Sequence, residues 1–247
     1  MSDLVLTSEK QGVFTITLNR FDKKNALTND MYLQLCQYFS YAEQTKSIHC
    51  VVIQGNEQCF CAGNDLQDFL ECSSDDELAA LQFVKVLSDF TKPLVAAVAG
   101  AAVGIGTTLL LHCDMVIAAS NSKFQLPFTQ LGLCPEAGSS LLLTQKVGQN
   151  KAFELMVLGT PFNAEQALNF GIINQICQPS DLLSTVDNIA LAIARLPVES
   201  VMTSRRLIRQ ANKLVLGKVI TDESHAFSHL VTTDACKNII AKFFKAQ

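Results

Sequence analysis

Leu94-Val-Ala-Ala-Val-Ala-Gly-Ala-Ala-Val-Gly-Ile-Gly-Thr-Thr-Leu-Leu-Leu111 carries no charge over a length almost sufficient to span a bilayer, and how it divides decides the fold. One apolar helix accounts poorly for Gly100, Gly104 and Gly106 and for the alanines around them. Leu94–Val98 reads instead as a short buried strand, the glycines as a turn, and Ile105–Leu111 as the start of a buried helix. Cys59-Phe-Cys-Ala-Gly-Asn-Asp-Leu66 repeats the pattern of apolar strand, glycine turn and helix start. Glycine lets backbone approach a ligand, and a helix start leaves N–H groups without internal partners. Two such turns face to face would offer convergent donors to a developing oxyanion. Taken singly, each turn reads as a plain tight strand-to-helix connection. A dinucleotide loop is disfavoured, because Leu109 stands where the third glycine belongs and no acidic residue ends the following strand.

Outward from this segment, residues 4–7 and 13–18 read as a hairpin around Gln11-Gly12, with Phe14, Ile16 and Leu18 alternating with threonines. Thr28 begins a helix with Met31, Leu35, Tyr38 and Ala42 on one face. Cys50–Ile53, Met115–Ala118, Lys123–Leu126 and Ile172–Ile176 read as strands. Asp75–Phe90 and residues 138–147, 150–158 and 164–170 read as helices. From Ser180 onward helix dominates, broken at Pro197 and Gly217. Alternating strands and helices imply an α/β core (1–195) with a helical C-terminal region (196–247), and no linker or low-complexity stretch divides 1–247 into more than one domain.

Of the 247 residues, 49% are apolar and 17% charged, which supplies a core and argues against disorder. The net charge is −4 with Lys and Arg dispersed, so no basic face points to nucleic acid or an anionic membrane. Neither end reads as a secretory, peroxisomal or prenyl signal, and a cytoplasmic location is expected. The nine cysteines are odd in number and scattered, and Cys59 and Cys61 form the only close pair, so reduced thiols and no metal are expected. His225 and His229 share a helix face but lack the neighbouring glutamate and third ligand of a zinc site. Ser139 and Ser140 lack a nucleophile elbow. The acidic run Asp75-Asp-Glu77 reads as a solvated helix start.

Several segments, in order, resemble the successive signatures of the crotonase (enoyl-CoA hydratase/isomerase) family. They are Asn19-Arg-Phe-Asp-Lys-Lys-Asn-Ala-Leu27, Phe60-Cys-Ala-Gly-Asn-Asp-Leu66, Ala97-Val-Ala-Gly-Ala-Ala-Val-Gly-Ile-Gly106 followed by Cys113-Asp114, Leu131-Gly-Leu-Cys-Pro-Glu-Ala-Gly138, and Ala164–Ile173. The resemblance implies a crotonase-like spiral of ββα units with a C-terminal helical trimerisation region, giving a homotrimer or a dimer of trimers. It implies an acyl-CoA substrate whose CoA is its only cofactor-like group. It places the oxyanion hole at the backbone N–H groups of Asn64 and Ile105. It places Lys24, Ala26, Ala62, Gly63, Asp65, Leu66, Gly104, Phe128 and Leu133 around substrate and CoA. Lys242 and Lys245 flank Phe243-Phe244 in a C-terminal region that, in this family, can complete a neighbouring subunit's CoA pocket.

The resemblance also bears on the reaction. The two glutamates of the family's hydratases fall at Thr108 and Phe128, which cannot position and deprotonate a water. In the Δ3,Δ2-enoyl-CoA isomerases a glutamate at the position of Glu136 is the base, and Asn64-Asp65 and Pro127-Phe128 resemble the peroxisomal-type branch. Glu136 would carry a proton from carbon 2 to carbon 4, with Phe128, Ile105 and Leu133 keeping the site apolar and raising its pKa. On the residues alone, Glu136 reads as a helix-start carboxylate, and Asp65 as a residue that caps or orients the turn. Another crotonase reaction on the same hole, or non-catalytic acyl-CoA binding, stays open.

Overall fold

The computed structural model describes residues 4–71 and 78–245. β1 (Val5–Lys10) and β2 (Val13–Leu18) form the expected hairpin, closed by Gln11 and Gly12 at positive φ. The Thr28 side chain accepts from Met31 N–H and caps α1 (Asn29–Gln44), whose buried face holds Met31, Tyr32, Leu35, Phe39 and Ala42, with Tyr38 at its margin.

From here the chain alternates between two sheets. β3 (Cys50–Gln54) joins the larger and β4 (Cys59–Cys61) the smaller; α2 (Leu66–Glu71) and α3 (Ala79–Asp89) follow. β5 (Leu94–Val98) returns to the larger sheet and β6 (Ala101–Val103) to the smaller, before α4 (Ile105–Thr108) and a 3-10 turn over Leu109–His112. β7 (Met115–Ala119) and β8 (Lys123–Gln125) make the next circuit. Then come α5 (Ser139–Val147), α6 (Gln149–Phe153), β9 (Phe162–Asn163), α7 (Ala164–Asn169), β10 (Gln175–Cys177), α8 (Leu182–Ala194), α9 (Val198–Gln210), α10 (Lys213–Val231) and α11 (Asp234–Lys245). The larger sheet runs β1-β2-β3-β5-β7-β10 and the smaller β4-β6-β8-β9. This is the expected α/β spiral.

The spiral positions the site. β4, β6 and β8 lie parallel and adjacent, so their C-terminal ends emerge side by side. The turns that follow them, at Gly63-Asn64, Gly104-Ile105 and Pro127-Phe128, therefore share one edge, where ligands of parallel sheets commonly bind. Both faces of the central strands β3, β5 and β7 are covered. Cys50, Val52, Val95, Ala97 and Ile117 pack on Leu182, Val186, Ala190 and Ala194 of α8. Val51, Ile53, Leu94, Ala96, Val98 and Val116 face the main core. Burial on both sides explains why these strands are unbroken apolar runs.

The uncharged run 94–111 thus divides into strand, strand and helix start, and among the described residues no helix is long and apolar enough to cross a membrane. Several boundaries differ from expectation. β4, β6 and β9 have two or three residues each, too short to show a period. The helix after Gly104 is α for only four residues before tightening to 3-10. Residues 154–158 widen into a π turn. The strand expected at Ile172–Ile176 is Gln175–Cys177, because the N–H groups of Ile172 and Ile173 turn back to Ala167 O after the left-handed Gly171. Gly217 does not break a helix; α10 runs through it, since one glycine costs only about 1 kcal/mol in a helix. The helix expected from Asp75 is described from Ala79, and Asp75-Asp-Glu77 lies outside the described residues.

Candidate active site

At the shared edge lies a cavity of about 420 Å³ with a mostly apolar wall. Ala62, Gly63, Asn64 and Leu66 form one side, Val103 and Gly104 the next, and Phe128 and Leu133 the third. Phe227 from α10 and Ile239 and Phe243 from α11 close it. Glycine is required at three places here. Gly63 has φ +100°, and a Cβ there would lie 3.0 Å from Val103 O. A Cβ on Gly106 would lie 2.5 Å from Cys61 O, so only glycine lets α4 sit against β4. Gly104 has φ +54° and ψ −121°, and its Cβ position faces open space.

These conformations turn two amides out of the ladder. Leu27 N–H donates to Gly63 O and Asp65 N–H to Leu27 O, both at 2.8 Å, leaving the intervening Asn64 N–H without a partner among the described residues. Gly104 N–H donates to Gln125 O, and Thr107 and Thr108 N–H turn back to Gly104 O, leaving Ile105 N–H likewise unpaired. Unpaired amides on adjacent turns are donors available to an anionic oxygen.

The turn carrying Asn64 is held from below. Tyr32 Oη donates to Asn64 Oδ1 at 2.5 Å. Arg20 pairs with Asp65 at 2.7 Å and donates to Ala26 O, while Asn25 Nδ2 donates to Phe60 O. Asp65 also accepts from Gln67 N–H, so it orients the turn and starts α2. Of the expected ligand-lining residues, Lys24, Ala26 and Asp65 are off the cavity wall. Lys24 is exposed, and its carbonyl accepts from Ala62 N–H.

Glu136 is not on the wall either. It is 5% exposed, in the loop behind Leu133. Thr108 Oγ1, at the end of α4, donates to Glu136 Oε1 at 2.5 Å. Burial pushes the Glu136 carboxyl up to about 8; the Thr108 bond pulls it down and the nearby Glu223 charge pushes it up. A carboxyl ionising near neutrality is suited to proton transfer in both directions. The residue after it, Ala137, is left-handed at φ 57°, and Gly138 follows at φ 69°. His112 Nε2 bonds Ala137 O at 2.7 Å, and Glu223 accepts from Gly138 N–H at 2.6 Å, from Ser140 N–H at 2.9 Å and from Ser140 Oγ.

Sequence reasoning missed Tyr32, His112, Glu223 and Phe227. A local signal existed for two of them. Ile220, Glu223, Phe227 and Val231 form the buried stripe of α10, so Glu223 is a charge at a core position. His225 and His229 on the same helix are exposed. Among the described residues no cluster of three or more His, Cys, Asp or Glu is gathered for a metal. Cys59 and Cys61 are buried free thiols whose pKa burial raises.

Residues 8–246 match the family model described as enoyl-CoA hydratase/isomerase. The chain is 34% identical to the 2,3-dehydroadipyl-CoA hydratase of Escherichia coli, covering 99% of this chain and 96% of that protein. It is 32% identical to the human enoyl-CoA delta isomerase 2 over 97% of this chain and 62% of that protein. The crystal structure of an enoyl-CoA hydratase/isomerase from Pseudoalteromonas atlantica superposes with a TM-score of 0.93 at 36% identity, covering 99% of this chain and 98% of that one.

Proposed function

Because this chain belongs to the enoyl-CoA hydratase/isomerase family, we propose that its reaction is isomerisation of a 3-enoyl-CoA to the 2-enoyl-CoA. The observation that carries the reading is the pairing of Thr108 with Glu136. Where hydration needs two acids, the chain has Thr108 and Phe128, and Thr108 serves instead as a donor to the buried carboxyl of Glu136.

In this reading the thioester oxygen lies between Asn64 N–H and Ile105 N–H. Glu136, ionised, takes a proton from carbon 2. The electron pair moves onto the thioester oxygen, where the two amides stabilise it; removing one such donor costs about 100-fold or more in other enzymes. Glu136, now protonated, delivers the same proton to carbon 4. The pair returns from oxygen, and the double bond comes to rest between carbons 2 and 3. One carboxyl acts first as base and then as acid, so neither a second acid nor a group beyond the substrate is needed. The apolar wall of Leu66, Phe128, Leu133 and Phe243 supports exclusion of water, which suppresses hydration of the conjugated product. Ile208 and Leu214, 80% and 90% exposed on α9 and α10, support assembly of copies through the C-terminal helices.

The test is a pair of assays on the same preparation. Supplied with 3-enoyl-CoA, the protein should form the conjugated thioester; supplied with 2-enoyl-CoA, it should hydrate it far more slowly. The reverse ranking makes it a hydratase, and binding without turnover makes it a binder.

A further inference from the structure

We infer that Glu223 is a positioning residue for Glu136, setting from α10 the conformation of the main chain that carries the base. The inference rests on the isomerase reading above and extends it. Ala137 and Gly138, the two residues after Glu136, are both left-handed, and for alanine that conformation is strained. Such backbone persists only where its surroundings over-determine it. Two side chains from distant segments do so. His112 Nε2 donates to Ala137 O, which fixes the neutral tautomer, as expected for an imidazole whose pKa burial drives down to about 4. Glu223 accepts three hydrogen bonds, from the amides of Gly138 and Ser140 and from the Ser140 hydroxyl.

Gly138, the N-cap of α5, is left-handed, and a Cβ there would lie 2.4 Å from Leu216 Cδ1, so no local side chain caps this helix start. The carboxylate comes instead from 85 residues further along the chain. It is buried, 8% exposed, with no cation paired to it among the described residues, and donors of the Glu136 loop and the start of α5 alone hold it. Phe227, one turn further along α10, lines the cavity and meets Phe69 edge-on at 5.8 Å. One helix therefore reaches both the loop that carries Glu136 and the cavity wall. Around Glu136 stand Thr108 from α4, Tyr32 from α1, Cys61 from β4 and Cys134 in its own loop, and Glu223 is the nearby charge among them.

Glu223→Gln and Glu223→Asp separate the two ways in which Glu223 acts. Gln removes the charge that raises Glu136, so the acid limb of kcat/KM against pH should move to lower pH. Asp keeps the charge but withdraws the oxygens by one methylene, so its limb should stay near that of the parent. In both, kcat should fall about 10- to 100-fold with KM little changed, because small misplacements of a reacting group carry penalties of that size. Ser140→Ala, which deletes one of the three bonds without touching the core, should lower kcat less and in the same sense; it carries the test if the Glu223 variants fail to fold. Unchanged kcat and an unmoved limb in folded variants, with only the melting temperature lowered, would make Glu223 a structural cap and overturn the inference. That outcome leaves the isomerase reading intact if the parent converts 3-enoyl-CoA and Glu136→Gln does not. An inactive parent protein would overturn both.

Discussion

Thr108→Val isolates the bond on which the basicity of Glu136 depends. Valine keeps the shape of threonine and deletes the hydroxyl that donates to Glu136 Oε1. Thr108 is fully buried, so no solvent replaces the lost donor. A hydrogen bond to a charged group contributes about 1.5–3 kcal/mol. Its loss falls on the ionised form, so the Glu136 pKa should rise above its value of about 8. At about 1.4 kcal/mol per pH unit, the rise is roughly one to two units. Below its pKa the ionised fraction falls tenfold for each unit, so kcat/KM at pH 7 should drop about 10- to 100-fold. Because a more basic carboxylate is a better base, the rate should recover at high pH. The assay is kcat/KM for 3-enoyl-CoA from pH 6 to pH 10, parent beside variant. An acid limb that stays in place or moves to lower pH would show that the Thr108 contact does not govern the base.

Folding should report the same carboxyl. Glu136 ionises at about 8 in the folded protein, against 4.5 for a free side chain. The folded state therefore holds this proton more tightly, so its stabilising effect is complete below 4.5 and is lost as pH rises towards 8. The limit is on the order of 5 kcal/mol, and urea unfolding at pH 5 and pH 8 should show Glu136→Gln with much less of this loss than the parent. Gly106→Ala, whose Cβ would meet Cys61 O, should lower the melting temperature strongly. Gly104→Ala faces open space and should cost only its backbone strain of about 1–3 kcal/mol, while raising KM. Phe243→Ala should open the end of the cavity closed by α11 and shift kcat/KM towards longer acyl chains, read across a chain-length series.

The central strands of the larger sheet were legible because they are buried on both faces and read as apolar runs followed by a glycine, as at Cys50–Ile53 before Gly55 and Leu94–Val98 before Gly100. The smaller sheet was not, because strands of two or three residues carry no period, although their glycine turns marked where the site would form. Gly63 and Gly104 were legible as backbone positions, and the free amides beside them follow from their dihedrals. The support behind the site was hidden, because it is made by contacts distant in sequence. Tyr32 reaches Asn64 across 32 residues and Thr108 reaches Glu136 across 28. The expectation that Lys24, Ala26 and Asp65 touch ligand came from resemblance; in the structure the carbonyls of Lys24 and Ala26 and the carboxylate of Asp65 bond within the turn that carries Asn64. Glu223 could have been found as a charge on the apolar stripe of α10, a place where an unpaired carboxylate is costly.

The chemistry of one side chain, Glu136, carries the proposed reaction. Glu136→Gln keeps the shape and an acceptor for Thr108 while removing the ability to take a proton. Measured as kcat for conversion of 3-enoyl-CoA to 2-enoyl-CoA, the variant should lose a factor of about 100 to 10,000, the range general acid–base groups contribute. It should still bind the thioester with near-parental affinity. A variant that converts the substrate at the parental rate would contradict the assignment.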